Sequence, residues 1–386
     1  MHQPPSSFLP FIPFLPPTRV LMGPGPSDVY PQVLDALARP TIGHLDPTFV
    51  NLMDEVKQLL QYSFQTNNTL TMPISAPGSA GMESVFVNLV EPGDKVIVCQ
   101  NGVFGGRMQQ NVQRCGGQAI MVQDDWGKPT DLNKVREALL ANPDTKAVAF
   151  VHAETSTGVL NDAKALCQLA QQFDCLSIVD AVTSLAGSEL KVDDWHIDAI
   201  YSGTQKCLSC VPGLSPVSFS EKAIEVIKHR KHPVQSWFLD MELVMGYWGR
   251  GGREEKISKR TYHHTAPVNS IYALHESLLI LHQEGLEHSW ARHHKNYHSL
   301  KAGLEKLGLE FVVEEAYRLP QLNMVRIPSG VDDIKVRNRL LSEFNLEIGA
   351  GLGELAGKVW RIGLMGCGSS QKNVDYCVSS LERVLS

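Results

Sequence analysis

The sequence predicts an α/β protein with a mostly parallel sheet in a large domain, followed by a smaller α+β domain. Short apolar segments alternate with amphipathic helical segments between residues 47 and 201, which is typical of a sheet buried on both faces. After residue 262 the order changes to two long helical segments and then to short strands and helices. The length of 386 residues suits about two domains.

The predicted elements follow this alternation in chain order. Apolar residues spaced three and four apart predict an amphipathic helix from Phe49 to Phe64. The other predicted helices are 79–90, 104–115, 131–141, 163–173, 268–284, 287–307, 332–344 and 371–385. The predicted strands are 96–98, 119–122, 146–151, 176–180, 197–201, 310–314, 322–327 and 358–364.

Residues 1–20 are predicted to form an extended, proline-rich arm. Proline recurs within the apolar segment 8–17 and prevents a helix there, while no Lys or Arg precedes the segment, so it is a poor targeting signal. We expect the arm to cover another part of the protein or another subunit; the alternative is a disordered tail. We assign residues 21–285 to the large domain and residues 286–386 to the small domain.

The composition excludes several classes of protein. Hydrophobic residues make up 43% and charged residues 20% of the chain, which argues against a mostly disordered protein. The net charge of −6 argues against a nucleic-acid partner, and no apolar run has the length of about 18 residues that a membrane helix needs. Eight scattered cysteines are expected to be free thiols, which predicts a cytoplasmic protein.

A carboxylate and an amine follow two of the predicted strands. Asp180 ends the strand 176–180, and Lys206 follows the strand 197–201, so both lie where parallel sheets bind ligands. Each residue alone is more typical of a helix cap or a solvated loop. Together they suit pyridoxal 5′-phosphate (PLP), because a lysine can bind this cofactor covalently and an aspartate can keep its pyridine nitrogen protonated.

Small residues precede the predicted helix 79–90. Gly78, Ser79 and Ala80 follow Pro77, and the backbone amides of such a turn at a helix N-terminus can bind a phosphate. The same sequence equally suits an ordinary turn with a helix cap. The histidines and cysteines lack the spacing of a metal site, and we expect no metal.

Nine short segments carry a resemblance to a known family. They are LMGPGPS (21–27), GSAGME (78–83), EPGD (91–94), NGVFG (101–105), ETSTGV (154–159), VD (179–180), YSGTQK (201–206), YHHTAPV (262–268) and VWRIGLMG (359–366). In this order they resemble the class V PLP-dependent aminotransferases, in particular the alanine–glyoxylate and serine–pyruvate aminotransferase family. The resemblance implies a type I PLP-dependent transferase fold with a seven-stranded sheet and a homodimer whose active sites are shared between subunits.

The resemblance also implies the roles of individual residues. Lys206 and Asp180 are the expected catalytic residues. The expected cofactor-binding residues are Gly78, Ser79, Ala80, Phe104, Thr155, Asp180, Gln205, Lys206, Tyr262 and Thr265. Phe104 would stack on the cofactor ring, although the family often has Trp there, and Tyr262 and Thr265 would reach the cofactor of the other subunit. The expected substrate-binding residues are Arg361, which would hold the α-carboxylate, Gly23 and Thr155.

The implied reaction moves the amino group of a small amino acid, foremost L-alanine, to glyoxylate and gives pyruvate and glycine. Serine–glyoxylate or serine–pyruvate transamination is the main alternative, and 3-hydroxykynurenine is a larger possible donor. A cysteine desulfurase-like lyase would need a nucleophilic thiol, for which Cys207 and Cys367 are the candidates. A PLP-binding regulator without turnover is a further alternative, but every expected catalytic residue type is present.

Overall fold

The computed structural model describes residues 12–249 and 260–386. Its strands fall into one large sheet and three small ones. In chain order they are β1 (Val20–Leu21), β2 (Leu70–Ile74), β3 (Lys95–Gln100), β4 (Gln118–Gln123), β5 (Thr145–Val151), β6 (Ala153–Glu154), β7 (Val159–Leu160), β8 (Leu176–Asp180), β9 (Ala199–Tyr201), β10 (Ser215–Phe219), β11 (Leu322–Arg326), β12 (Leu346–Glu347), β13 (Gly349–Ala350) and β14 (Val359–Gly363).

The helices cover both faces of the large sheet and build much of the small domain. They are α1 (Pro31–Leu37), α2 (Pro47–Phe64), α3 (Gly78–Leu89), α4 (Val103–Arg114), α5 (Leu132–Ala141), α6 (Ala163–Gln172), α7 (Glu221–Lys228), α8 (Met241–Trp248), α9 (Val268–Glu284), α10 (Leu286–Lys306), α11 (Asp333–Phe344) and α12 (Gln371–Leu385). Among the described residues, no helix is both long and apolar enough to span a bilayer.

The large sheet has seven strands in the order β2-β10-β9-β8-β5-β3-β4. Five neighbouring strands, from β9 to β4, are parallel to one another, whereas β10 is antiparallel to both of its neighbours. All residues of β8, β9 and β10 are buried, as expected of strands covered on both faces. The predicted α/β architecture with a mostly parallel seven-stranded sheet is therefore confirmed.

Two hydrophobic cores divide the chain. The first includes the large sheet and Leu286 at the start of α10, and the second includes Leu300 near the end of the same helix. The sequence-based division at residue 285 stands just before this helix, and we retain it as a proposal. The N-terminal segment departs from that division, because β1 pairs with β12 and Met22 is buried in the second core.

Two further expectations concern irregular segments. The predicted strand 310–314 is wrong, because only Phe311 pairs with β11 before the chain turns into a short 3-10 helix at Glu315–Tyr317.

The first part of the predicted arm, up to residue 11, lies outside the described residues. The following segment has no helix or strand before Val20, and Ile12 and Phe14 expose more than four-fifths of their surface, 82% and 84%.

Candidate active site

A cavity of about 190 Å³ lies at the carboxyl ends of β5, β8 and β9, beside the N-termini of α3 and α4. Parallel strands bring the residues that follow them to one edge of the sheet, which explains why ligand sites form there. The lining residues are Pro77, Gly78, Ser79, Met82, Phe104, Arg107, Val151, Ala153, Thr155, Asp180, Val182, Thr183, Tyr201, Gln205 and Lys206.

Asp180, the last residue of β8, is held by two hydrogen bonds. The backbone amide of Val182 donates to Oδ1 at 2.8 Å, and the hydroxyl of Tyr201, at the end of the neighbouring strand, donates to Oδ2 at 2.9 Å. Burial raises the pKa of Asp180 to about 6, and the two hydrogen bonds oppose this shift. The carboxylate is thus fixed and ionised at neutral pH, as the partner of a protonated ring nitrogen must be.

Lys206 lies between the sheet edge and the N-terminal segment. Its Nζ donates to the carbonyl oxygen of Pro24, while its own carbonyl oxygen accepts a bond of 2.7 Å from the Ser27 hydroxyl. Gly25 has a φ of +100°, and a Cβ there would lie 2.5 Å from Lys206 Nζ, so glycine gives the amine its space. Burial lowers the pKa of Lys206 to about 8, and the charge of Arg361 acts in the same direction.

The N-terminus of α3 fits the phosphate of the cofactor. The helix begins at Gly78 after Pro77, whose side chain makes no capping hydrogen bond. The Ala80 amide donates to the Pro77 carbonyl at 2.7 Å, which leaves the amides of Gly78 and Ser79 to bind a ligand. A Cβ at Gly78 would lie 3.4 Å from Val182 Cγ2, an ordinary contact distance, so the turn lies beside the segment that follows β8. Gln205 lines the cavity beside the turn, and its side-chain NH2 is the group that can donate to a phosphate oxygen.

Phe104 lines the cavity from the first turn of α4. The guanidinium of Arg107 lies over its ring, 4.8 Å from the centroid, and the Phe104 amide donates to Oε2 of Glu154 at 3.2 Å. Glu154 is fully buried in β6, and burial raises its pKa to about 7. The ring is therefore held in place by contacts that the sequence analysis did not identify.

Arg361, in the middle of β14, does not line the cavity itself but contacts the lining residue Thr155 from the small domain. Its Nε donates to the Ala350 carbonyl at 2.6 Å and its Nη1 to the Thr155 carbonyl at 3.2 Å. The residue is 8% exposed, and no carboxylate of the described residues forms a salt bridge with it. Burial lowers the pKa of Arg361 to about 10, although the charge of Glu154 opposes the shift. A buried cation without a close counter-ion favours an anionic ligand.

Seven of the predicted cofactor-binding residues meet in this cavity: Gly78, Ser79, Phe104, Thr155, Asp180, Gln205 and Lys206. Ala80 lies in the first turn of α3, outside the lining. Gly23 lies next to β14, because its neighbour Met22 accepts a hydrogen bond from the Gly363 amide at 2.7 Å.

Tyr262 and Thr265 do not join the cavity of their own chain. Tyr262 is 60% exposed, and its hydroxyl lies 3.5 Å from the Thr265 hydroxyl. Both side chains thus face outward, where they could contact a second molecule. Their predicted role toward another subunit's cofactor stays a prediction.

The two cysteines considered for a lyase are poorly suited to act as nucleophiles. Cys207 is buried, and burial raises its pKa to about 12. Cys367 is half-buried, its pKa is also raised by burial, and its Sγ contacts the Asp28 carbonyl oxygen at 3.1 Å. A reactive cysteine needs a lowered pKa. All eight cysteines are unpaired, as the sequence predicts.

Sequence reasoning missed three polar residues around the site: Glu154, Tyr201 and Arg107. Glu154 and Tyr201 lie in segments that carry the family resemblance, but the resemblance assigned no role to either residue. Tyr201 lies opposite Asp180 in the β8–β9 register, which an accurate strand alignment would have revealed. Arg107 is three residues after Phe104 in α4, a spacing at which helical side chains contact one another.

Comparisons with known proteins agree with this geometry. Residues 21–375 match the family model described as aminotransferase class-V. An alanine–glyoxylate aminotransferase of Felis catus is 40% identical over 370 residues, covering 96% of this chain and 88% of the relative. The crystal structure of an alanine–glyoxylate aminotransferase from Nostoc sp. is 46% identical, with a TM-score of 0.94 and 98% coverage of both chains. That of a ureidoglycine–glyoxylate aminotransferase from Bacillus subtilis is 37% identical, with a TM-score of 0.92 and coverage of 96% and 94%.

Proposed function

The chain belongs to the class V aminotransferase family, and on that premise we propose that it transfers the amino group of L-alanine to glyoxylate, giving pyruvate and glycine. It is an aminotransferase that acts on an amino acid and a 2-oxo acid, and its cofactor is PLP. The choice of alanine and glyoxylate is supported by relatives named alanine–glyoxylate aminotransferase.

The proposal rests on one feature: the buried guanidinium of Arg361 is bonded to a residue of the cavity wall, Thr155, in the cavity that also holds the buried amine of Lys206. Arg361 keeps Nη2 free of protein acceptors among the described residues, since the bonds found for this side chain use Nε and Nη1. A carboxylate bound there would supply the missing negative charge. Alanine, pyruvate, glycine and glyoxylate all carry that group, so one arginine can hold every reactant.

The cavity residues also fit PLP itself. The α3 amides and Gln205 would hold its phosphate, Phe104 and Val182 lie at the wall where its ring would pack, and Asp180 would hold a proton at its pyridine nitrogen. When bound, PLP supplies an electron sink that stabilises negative charge on the substrate α-carbon.

Lys206 is placed to move the substrate's proton. Its lowered pKa of about 8 leaves part of the amine neutral near neutral pH, and a neutral Nζ can take the proton from the α-carbon as a general base. The Pro24 carbonyl, which accepts from Nζ, orients the amine. The carbonyl oxygen of Thr155 accepts from Arg361 Nη1 and so orients the guanidinium on the side of the cavity where this amine lies.

A panel of amino donors tests the substrate assignment. The holoenzyme is assayed with glyoxylate and with L-alanine, L-serine, (S)-ureidoglycine or 3-hydroxykynurenine, and kcat/KM is compared. We expect the highest value for L-alanine. A higher value for another donor refutes the assignment, and sulfide release from L-cysteine at a comparable rate would favour the lyase alternative.

We further propose a homodimer whose active sites are shared between subunits. Tyr262 and Thr265 support this, because they are exposed and lie outside the cavity of their own chain. The exposed apolar side chains of Trp237 and Phe238 stack near His263 on the same surface, and such a patch favours burial against another protein. A two-fold axis would give each cavity the hydroxyls of the other chain.

Mixed dimers test the shared site. Lys206→Ala and the double variant Tyr262→Phe/Thr265→Ala are co-refolded, and each homodimer alone should be weakly active. In the heterodimer, the intact Lys206 meets intact hydroxyls from the other chain, so one site per dimer should recover.

The matched control mixes Lys206→Ala with Asp180→Asn. Both residues line the cavity of one chain, so no site can recover in that mixture. Absence of recovery in the first mixture, with heterodimers shown to form, refutes the shared site. We also propose a cytoplasmic location, which the free thiols support and cell fractionation would test.

A further inference from the structure

Helix α4, which carries Phe104, begins without a cap from its own sequence. Its N-cap is Gly102, which has no side chain, so the first amides need acceptors from elsewhere. Ser156 Oγ accepts from the Val103 amide at 2.9 Å, and Glu154 Oε2 accepts from the Phe104 amide at 3.2 Å. The cap is therefore supplied by a segment about 50 residues away in sequence.

Glu154 also binds its own loop. Its Oε1 accepts from the Ser156 amide at 3.0 Å and from the Ser156 hydroxyl at 2.6 Å. Because it also accepts from the Phe104 amide, this carboxylate links the N-terminus of α4 to the loop that contains Ser156. A Cβ on Gly102 would lie 2.5 Å from Cγ and Cδ of Glu154, so the absence of a side chain at Gly102 permits the close approach.

The two segments that Glu154 joins carry different parts of the site. Phe104 lines the cavity from α4, while Thr155, between Glu154 and Ser156, lines it from the other segment and binds Arg361 through its carbonyl oxygen. A carboxylate that fixes these segments to each other also fixes the cofactor-stacking ring relative to the arginine.

We propose that Glu154 is a positioning residue, which fixes the place of Phe104 relative to the Thr155–Arg361 contact on the other segment of the cavity. This role rests on the proposed function, because it assumes that PLP stacks on Phe104 and that Arg361 binds the substrate carboxylate. Glu154 itself does not line the cavity: its bonds go to backbone amides and to the Ser156 hydroxyl.

Glu154→Gln tests the proposal with little change in size. A glutamine must turn its NH2 group toward either the Phe104 amide or the two donors of Ser156, so at least one bond is lost. Since a buried donor left without an acceptor is costly, we expect the dissociation constant of PLP to rise about tenfold. We also expect an altered visible circular dichroism of the bound cofactor, and faster hydrogen exchange at the Val103 and Phe104 amides.

Glu91→Gln is the matched control. Glu91 Oε1 also accepts from two backbone amides, those of Lys231 and His232, each at 2.9 Å, but it does not line the cavity. This variant should keep the PLP dissociation constant and the circular dichroism of the holoenzyme. Unchanged cofactor binding, dichroism and exchange in Glu154→Gln overturn the proposal.

If Glu154→Gln fails to fold, Ser156→Ala decides the question by the same three measurements. It removes the acceptor for Val103 and one donor to Glu154 but leaves the carboxylate, so a smaller change in the same direction is expected and no change overturns the role. All three measurements are made without an amino donor. A wild-type enzyme that does not use alanine and glyoxylate would therefore refute the proposed function without affecting them.

Discussion

Replacing Arg361 by lysine removes the planar guanidinium but keeps the positive charge. In the wild type, Nε and Nη1 are engaged by the Ala350 and Thr155 carbonyls, which fixes the plane of the group for paired contacts to a carboxylate. A lysine ammonium cannot donate hydrogen bonds to these two carbonyls and to both substrate oxygens at once. The loss of one hydrogen bond to a charged group costs about 1.5–3 kcal/mol, so KM should rise roughly 10- to 150-fold.

The rise should appear for L-alanine and for glyoxylate alike, because both carry a carboxylate. Steady-state kinetics with each substrate varied in turn measures it, and a PLP titration should show unchanged cofactor affinity. Arg318→Lys is the control, because its guanidinium also donates to a backbone carbonyl, that of Val313 at 2.8 Å, outside the cavity lining. Loss of PLP with both KM values intact would refute the reasoning, and so would a change confined to one substrate.

Further variants test the remaining groups of the cavity. Lys206→Ala should keep the fold but lose turnover, and borohydride reduction of the wild-type holoenzyme followed by peptide mapping should label Lys206; a label on another lysine would exclude its role. Asp180→Asn should greatly slow proton removal from the substrate in single turnovers, because the ring nitrogen loses its anionic partner, and an unchanged rate would contradict this. Tyr201→Phe removes the hydroxyl that stabilises ionised Asp180, so the pKa of Asp180 should rise further above about 6. In the single-turnover pH profile, the lower break of the acid limb reports Asp180 and should then move up by about one pH unit; an unmoved break would speak against the contact. Since burial lowers the pKa of Lys206 to about 8 and its neutral form is the base, the single-turnover rate with alanine should rise with pH up to about 8 and then level off; a rate that falls over this range would be inconsistent with that role.

Much of the large sheet could be predicted because its parallel strands are continuous apolar segments. The segments 146–151 and 176–180 match β5 and β8 within one residue. The strands β2 and β10 were missed because each contains a proline, Pro73 or Pro216, which usually argues against a strand. The structure accommodates Pro73 on the edge strand β2, paired with Pro216.

The candidate site was predictable where a residue's role follows from its position on one strand. Asp180 and Lys206 were found because residues that follow buried parallel strands meet at one sheet edge. Arg361 came from the family resemblance alone, since nothing in its local sequence indicates that β14 contacts a residue of the cavity wall. Glu154 was not identified because it caps α4, which is distant in sequence, and no local sequence pattern indicates such a contact.

The pairing of β1 with β12 has a consequence for the order in which the protein can be assembled. A ribosome makes Val20–Met22 long before it makes their partners, Leu346 in β12 and Gly363 in β14. The small domain therefore closes only after the whole large domain has been made, and closing so long a loop is entropically costly unless the intervening chain has already folded. A fragment starting at residue 286 would lack one strand and the buried Met22, so cutting the gene between the domains would leave the C-terminal piece with an incomplete core.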